Sequence, residues 1–213
     1  MLEENARRRG GQREAAAVEL KEIRPGQAGR FIRRYDLVYR QADGKEKVYE
    51  MVSRKPVQAP ADLAGGAPDG VVMILLSPDR SRVLLNREFR PAVGGVVYNF
   101  PAGLAEPGES LAAAAARELR EETGLALLRT LAVYGRSYGS VGLSNESAAV
   151  VVGIADDTAP FGGNHAPAEE IAPVWVDRAG AGAIVQSGAV TARVQLFLAM
   201  WAMGGPFGPE TGR

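Results

Sequence analysis

The sequence has no cysteine. That absence excludes disulfides, thiolate metal sites and cysteine nucleophiles, and it fits a reducing cytoplasm, the compartment expected for the chain. Histidine is nearly absent: His165 stands alone in a Gly-rich stretch (161–170) and reads as a solvated loop residue. An excess of one charge is lacking too. Lys and Arg total 25 and Asp and Glu total 25, so no net field draws the chain to nucleic acid or an anionic membrane. Any anionic ligand must therefore be held by a local arrangement. No run approaches the ~20 apolar residues of a membrane span. The first twenty residues carry no apolar core of signal-peptide length, and no internal repeat is visible. The expectation is no membrane and no nucleic-acid partner.

The 213 residues, 46% hydrophobic and 23% charged, suit one domain, or one domain with a small extension. Residues 1–15 are polar and read as frayed or weakly helical. In 31–57, Tyr35, Leu37 and Tyr39 alternate with polar neighbours, and Val48, Glu50 and Val52 repeat in the opposite phase. Asp43-Gly44 between them signals a hairpin turn. A further short strand is expected before this hairpin, which is too small to stand alone. A Pro/Gly/Ala linker (59–70) follows. Strands are then expected at 71–76, 82–89, 94–103, 128–138, 147–155 and 172–178, with helices at 110–123 and 189–203. Strands mixed with two or three helices imply an α/β domain with helices on both sides of a mixed sheet. Residues 1–60 are thus an antiparallel β extension, and 61–205 the main domain.

One stretch carries chemistry: "GLAEPGESLAAAAARELREETGL" (103–125). Ser110 suits a helix N-cap, and Gly124 suits the left-handed position past the C-terminus. Five alanines (112–116) favour helix and allow close approach of another element. Glu118 and Glu122 are four apart, on one face, with Glu121 at its border and Arg117 four before Glu121. Two carboxylates at the negative end of a helix repel each other and oppose the helix dipole. Without a counter-charge one of them should hold a proton. A divalent cation removes the conflict, and hard oxygen ligands suit Mg²⁺ or Mn²⁺. A Glu/Arg-rich helix is usually only a solvated face. The combination Gly103, Glu109, Arg117-Glu118-Leu119, Glu121-Glu122 and Gly124-Leu125 is far more specific than that.

This string resembles the signature of the Nudix hydrolases at every signature position. The resemblance implies an α/β/α sandwich with a mixed sheet, and a loop–helix–loop that binds divalent metal. It also implies hydrolysis of a diphosphate that joins a nucleoside to another group. Glu118 and Glu122 resemble the metal-ligand carboxylates and Glu121 a supporting one, while Arg117 and Glu109 resemble the ion pair anchoring the helix. The flanks resemble the ADP-ribose/ADP-sugar pyrophosphatase branch. "FPAG" (100–103) implies the Ala102 carbonyl as a metal ligand, with Gly103 and Leu104 beside the substrate. "LLNREFRPAV" (84–93) implies Arg90 near the phosphates or ribose. The hairpin ending in "EMVSRK" (50–55) resembles an extension that mediates homodimerisation and supplies an arginine, here Arg54.

Two departures stand out. Asn99 replaces a glutamate common in the branch, and Val141 replaces the proline of a Ser-Pro-Gly loop. A general base is expected either at Glu146, which the start of a strand favours, or at Glu169 or Glu170. Phe89 and Tyr98 either touch a base or are buried in the sheet. Trp175 and Trp201 read as core, and Arg7-Arg8-Arg9 as a solvated cluster. The expected reaction is Mg²⁺-dependent hydrolysis of ADP-ribose to AMP and ribose 5-phosphate. The alternatives are a Nudix enzyme for another nucleoside diphosphate derivative and a non-catalytic Nudix-fold sensor. The intact box and the lack of any visible helix-turn-helix disfavour the sensor.

Overall fold

The structure, a computed structural model, describes residues 18–64, 66–163 and 170–205. It divides into two units. One holds the described residues up to Gly66 together with Gly139–Glu146, and the other holds the rest. Residues 1–17 and the tail beyond 205 lie outside the described residues, as do His165 and Glu169.

The first unit is a three-stranded antiparallel sheet, β1 (Glu19–Ala28), β2 (Arg33–Arg40) and β3 (Glu46–Ser53), in that order. The β2–β3 turn uses Gly44 in the left-handed region (φ 81°), which a side chain rarely adopts, and the Lys45 N–H donates to Asp43 Oδ1 at 3.1 Å. The phase of β3 differs from the sequence reading. Tyr35 pairs with Met51 and Leu37 with Tyr49, so Met51 and Ser53 share the buried face, while Val48 is 49% exposed. Two apolar residues at period two did not outweigh register, which the turn decides. Tyr35, Leu37, Met51 and Val57 form a small core, and the Tyr35 hydroxyl accepts from the Val57 N–H at 3.0 Å. The stretch read as a linker contains a short helix, α1 (Pro60–Ala64). The Asp62 carboxylate accepts from the Gln58 and Ala59 N–H groups, which hold it below its ordinary pKa. Residues 139–146 join this unit through the Val52 N–H, which donates to the Leu143 carbonyl at 2.9 Å.

The second unit is built on a mixed sheet: β4 (Gly70–Leu76), β5 (Arg82–Arg90), β6 (Gly95–Asn99), β7 (Ala102–Leu104), β8 (Leu127–Tyr138), β9 (Ser147–Ala155) and β10 (Ile171–Asp177). The order is β10-β5-β4-β9-β8, with β6 on β5 and β7 on β4. Among the described strand pairs of this sheet, β4–β9 is parallel and the rest are antiparallel. Alternation along the strands feeds two cores. Val71, Met73, Leu75 and Leu84 pack under Ala114, Ala115 and Leu119 of α2 (Leu111–Thr123). Val72, Leu76, Val83 and Leu85 pack against Ala181 of α3 (Arg178–Ser187) and Val194, Leu198 and Trp201 of α4 (Ala192–Ala202). This is the α/β/α sandwich. Trp201 is fully buried and Trp175 half-buried against the α2 core.

Helix α3 was not located in the sequence. Gly180 and Gly182 depress its propensity. Its ends are nonetheless specified: Asp177 caps it by accepting from the Gly180 N–H at 2.7 Å, and Gly188 closes it at φ 72°.

Candidate active site

Helix α2 is specified at both ends. Ser110 Oγ accepts from the Ala113 N–H at 3.2 Å, and Gly124 takes φ 76° while its N–H donates to the Arg120 carbonyl at 2.9 Å. The alanine face buries Ala114 and Ala115 and lets the helix lie close to the sheet. The approach is closest at β7. A Cβ on Gly103 would overlap Cδ, Oε2 and Cγ of Glu118, so the Glu118 carboxylate rests directly on the Gly103 backbone. At the other end, a Cβ on Gly163 would overlap the Glu122 carbonyl. Two glycines thus set how near the neighbouring chain lies to this helix.

Arg117 binds the loop to the helix. Its guanidinium meets Glu109 through two bonds (Nε–Oε1 3.1 Å, Nη2–Oε2 3.0 Å) and donates to the Leu104 carbonyl at 2.9 Å. It also reaches Glu118 Oε1 at 2.8 Å and Glu121 Oε2 at 3.2 Å. The Glu109 and Glu118 bonds raise the Arg117 pKa, and Arg117 in turn holds Glu109 below its ordinary value. A forked, always-charged group suits this role better than lysine would.

Glu122 is the anomalous acid. It is half-buried, accepting from Asn86 Nδ2 at 2.8 Å and from the Ala102 N–H. Burial pushes its pKa up to about 7. The charges of Glu118 and Glu88 add to the rise, and the Asn86 and Ala102 donors oppose it. The conflict expected from the helix spacing is therefore present in the fold. Among the described residues, no three His, Cys, Asp or Glu side chains gather closely enough to hold a metal by themselves. Two hard carboxylates, with Ala102 beside them, still fit a cation that keeps water and takes substrate oxygens as its remaining ligands.

Strand β5 contributes a polar patch that sequence reasoning missed. Its α2-facing side runs Leu84, Asn86, Glu88: one core leucine, then an asparagine 1% exposed and a glutamate 8% exposed. Asn99, directly across from Asn86, donates to Glu88 Oε1 at 2.9 Å and accepts from Thr191 Oγ1 at 3.1 Å. Arg90 Nη1 lies 3.8 Å from Glu88 Oε2. The period-two change from leucine to polar residues in "LLNREF" was the available signal. Asn86 Oδ1 is buried and has no hydrogen-bond partner among the described residues. Such an oxygen costs roughly 1–3 kcal/mol.

The remaining expected residues are distributed as follows. Phe89 lies on the opposite side of β5, 43% exposed, and is therefore not buried in the sheet; its N–H donates to the Glu170 carbonyl at 3.1 Å. Glu170 is exposed, and so is Leu104. Tyr98 is half-buried, packed against the α3/α4 core. Arg54 and Glu146 belong to the first unit and meet there, Nε to Oε1 at 2.9 Å, both about half exposed.

The chain has known relatives. Residues 67–193, more than half of the chain, match the NUDIX domain. The chain belongs to the Nudix family. Over 122 residues it is 30% identical to the ADP-ribose pyrophosphatase of Saccharomyces cerevisiae, covering 54% of this chain and 49% of that protein. Over 99 residues it is 34% identical to the ADP-sugar pyrophosphatase of Mus musculus, covering 45% and 43%. The chain thus spans about half the length of these curated relatives. A crystal structure of an ADP compounds hydrolase superposes with a TM-score of 0.66 at 21% identity, over 88% of this chain and 95% of that one, and so shares the fold. Among the described residues no helix is long and apolar enough to cross a membrane.

The Nudix helix gives this protein a characteristic pH response. Glu122 holds its proton to higher pH in the folded state (about 7) than its ordinary value of 4.5 allows. Its contribution to stability is complete below about 4.5 and is lost as pH rises through 7. In EDTA the Tm is expected to fall by on the order of 5 °C across that window, allowing for partial exposure. Excess Mg²⁺ should abolish the fall. Calorimetry at several pH values, with and without Mg²⁺, measures it, and a flat profile in EDTA would remove the claim that Glu122 is strained.

Proposed function

We propose that this Nudix protein hydrolyses the diphosphate of ADP-ribose or a related ADP-sugar, yielding AMP and a sugar phosphate. The observation that carries the reading is the convergence of Glu118 and Glu122 on the Ala102–Gly103 backbone, with Arg117 bracing one carboxylate and Asn86 the other. Kinship with an ADP-ribose and an ADP-sugar pyrophosphatase supports the substrate class.

In this reading Glu118, Glu122 and the Ala102 carbonyl hold Mg²⁺, with Mn²⁺ able to replace it. A divalent ion held there would supply charge stabilisation for the diphosphate and a more acidic water. Glu109 and Arg117 keep the loop and helix in register, and Glu121 supports the carboxylate face. Arg90 lies near the phosphates or ribose, Arg54 makes a phosphate or dimer contact, and Phe89, Gly103 and Leu104 line the substrate. Glu146 is the proposed general base, ahead of Glu169 and Glu170. Glu146 accepts from Arg54 Nε at 2.9 Å within the first unit. We also propose a homodimer formed through the β extension, and a cytoplasmic location. Sedimentation as a monomer would remove the dimer.

Product analysis with ADP-ribose, ADP-glucose and NADH, each with and without Mg²⁺, tests the reading. AMP release from ADP-ribose, dependent on Mg²⁺, is the expected result. Preference for NADH would move the substrate to another nucleoside diphosphate derivative. Nucleotide binding without hydrolysis would favour a sensor.

A further inference from the structure

The most deeply buried polar side chain beside the carboxylates is Asn86, on the α2-facing side of β5. Its two ends differ. Nδ2 donates to Glu122 Oε2 at 2.8 Å, which fixes the orientation of the amide, because only the nitrogen can donate to a carboxylate. Oδ1 is buried, and no donor among the described residues reaches it. An ordinary structural asparagine in a core satisfies both ends. The neighbouring ionisable groups on the elements packed here, Glu118, Glu122 and Glu88, are carboxyl groups, and in their ionised form they are acceptors only. With Glu122 ionised, as it must be to hold a cation, none of them supplies the missing donor.

We propose that Asn86 is a positioning residue of the cation site: Nδ2 holds the Glu122 carboxylate in place, and Oδ1 accepts a hydrogen bond from a water retained by the bound cation. The inference rests on the proposed metal-dependent function and adds a residue to it. A hydrated Mg²⁺ or Mn²⁺ carries the kind of strong donor that Oδ1 lacks, and partners of this type orient metal ligands from behind.

The test is Mn²⁺ titration of the substrate-free protein by electron paramagnetic resonance, with Tm measured in EDTA and in Mn²⁺. Wild type should bind Mn²⁺, and Glu122→Gln should lose most of that binding. If wild type binds no Mn²⁺, the functional reading fails and the inference with it. Given that binding, Asn86→Leu, which is similar in volume and removes both polar ends, should bind Mn²⁺ about 10–100-fold more weakly. Its Tm in EDTA should be no lower than wild type, because the unsatisfied oxygen is gone, and its gain in Tm on adding Mn²⁺ should shrink. A merely structural role gives the opposite split, a lower Tm in EDTA with unchanged affinity. Asn86→Asp keeps an oxygen in place and should bind Mn²⁺ more tightly than Asn86→Leu. Asn86→Ser, too short to reach Glu122, should show the same weakening if the leucine variant does not fold. Affinity within twofold of wild type in the folded leucine or serine variant would overturn the proposal while leaving the functional reading intact. So would an aspartate variant no tighter than the leucine one.

Discussion

Glu122→Gln is expected to lower ADP-ribose hydrolysis by about 10³-fold or more, the loss of roughly 4 kcal/mol of transition-state stabilisation. The substitution keeps the shape of the side chain and removes its charge. One amide oxygen remains to accept from Asn86 Nδ2, so the fold is retained. In the proposed site the cation would lose an anionic ligand, and affinity would fall accordingly. Stability should move the other way. Glu122 is held near pH 7 by burial and by the charges of Glu118 and Glu88. A neutral glutamine escapes all three penalties, at the cost of a poorer partner for the Ala102 N–H. The cation-free variant should therefore lack the fall in Tm between pH 4.5 and 7 and be more stable than wild type at pH 8. AMP release and calorimetry in EDTA measure the two effects together. Full turnover in the variant would sink the assignment of the metal face.

Gly103→Ala is expected to cost activity about 10²-fold while destabilising the fold by only ~1–2 kcal/mol. The added methyl meets the Glu118 side chain at Cδ, Oε2 and Cγ. That side chain is flexible and can swing aside, so the backbone need not move. A displaced Glu118 also leaves its bond to Arg117 Nη1 and its place beside Glu122. Misplacement of a catalytic group by about 1 Å is enough for a hundredfold loss. Gly135→Ala in β8 is the control, since nothing lies within 4 Å of a Cβ there. Initial rates and urea denaturation of both variants separate the cases. Equal activity in Gly103→Ala would mean that the Glu118 carboxylate has no need of its position.

Helix α2 was legible because its signals are local. Ser110, the alanine run, Gly124 and the 117–122 carboxylates all act within a few turns of one element. A spacing of four residues puts Glu118 and Glu122 on one face whatever surrounds them. Most strands of the second unit were legible for the same reason, as apolar runs bounded by turns, but the single strand expected at 94–103 is two, β6 and β7, on different neighbours. Helix α3 was not, because its two glycines speak against helix and only its caps and the burial of Ala181 speak for it. The buried face of β3 follows from the pairing Tyr35–Met51, which the period of Val48 and Val52 does not reveal.

The sequence by itself determined which residues form the acidic helix face, the Arg117–Glu109 brace that closes it, and the family these imply. The acidic face depends on covalent spacing and helix periodicity; the brace and the family rest on the resemblance of the whole string. Only the tertiary structure decided what stands behind that face. Asn86 and Glu88 come from β5, Asn99 from β6 and Thr191 from the start of α4, and no spacing along the chain relates them to Glu122. Strand pairing brings them there, and the burial it creates raises the Glu122 pKa. Burial and cross-strand contact are properties of the assembled sheet.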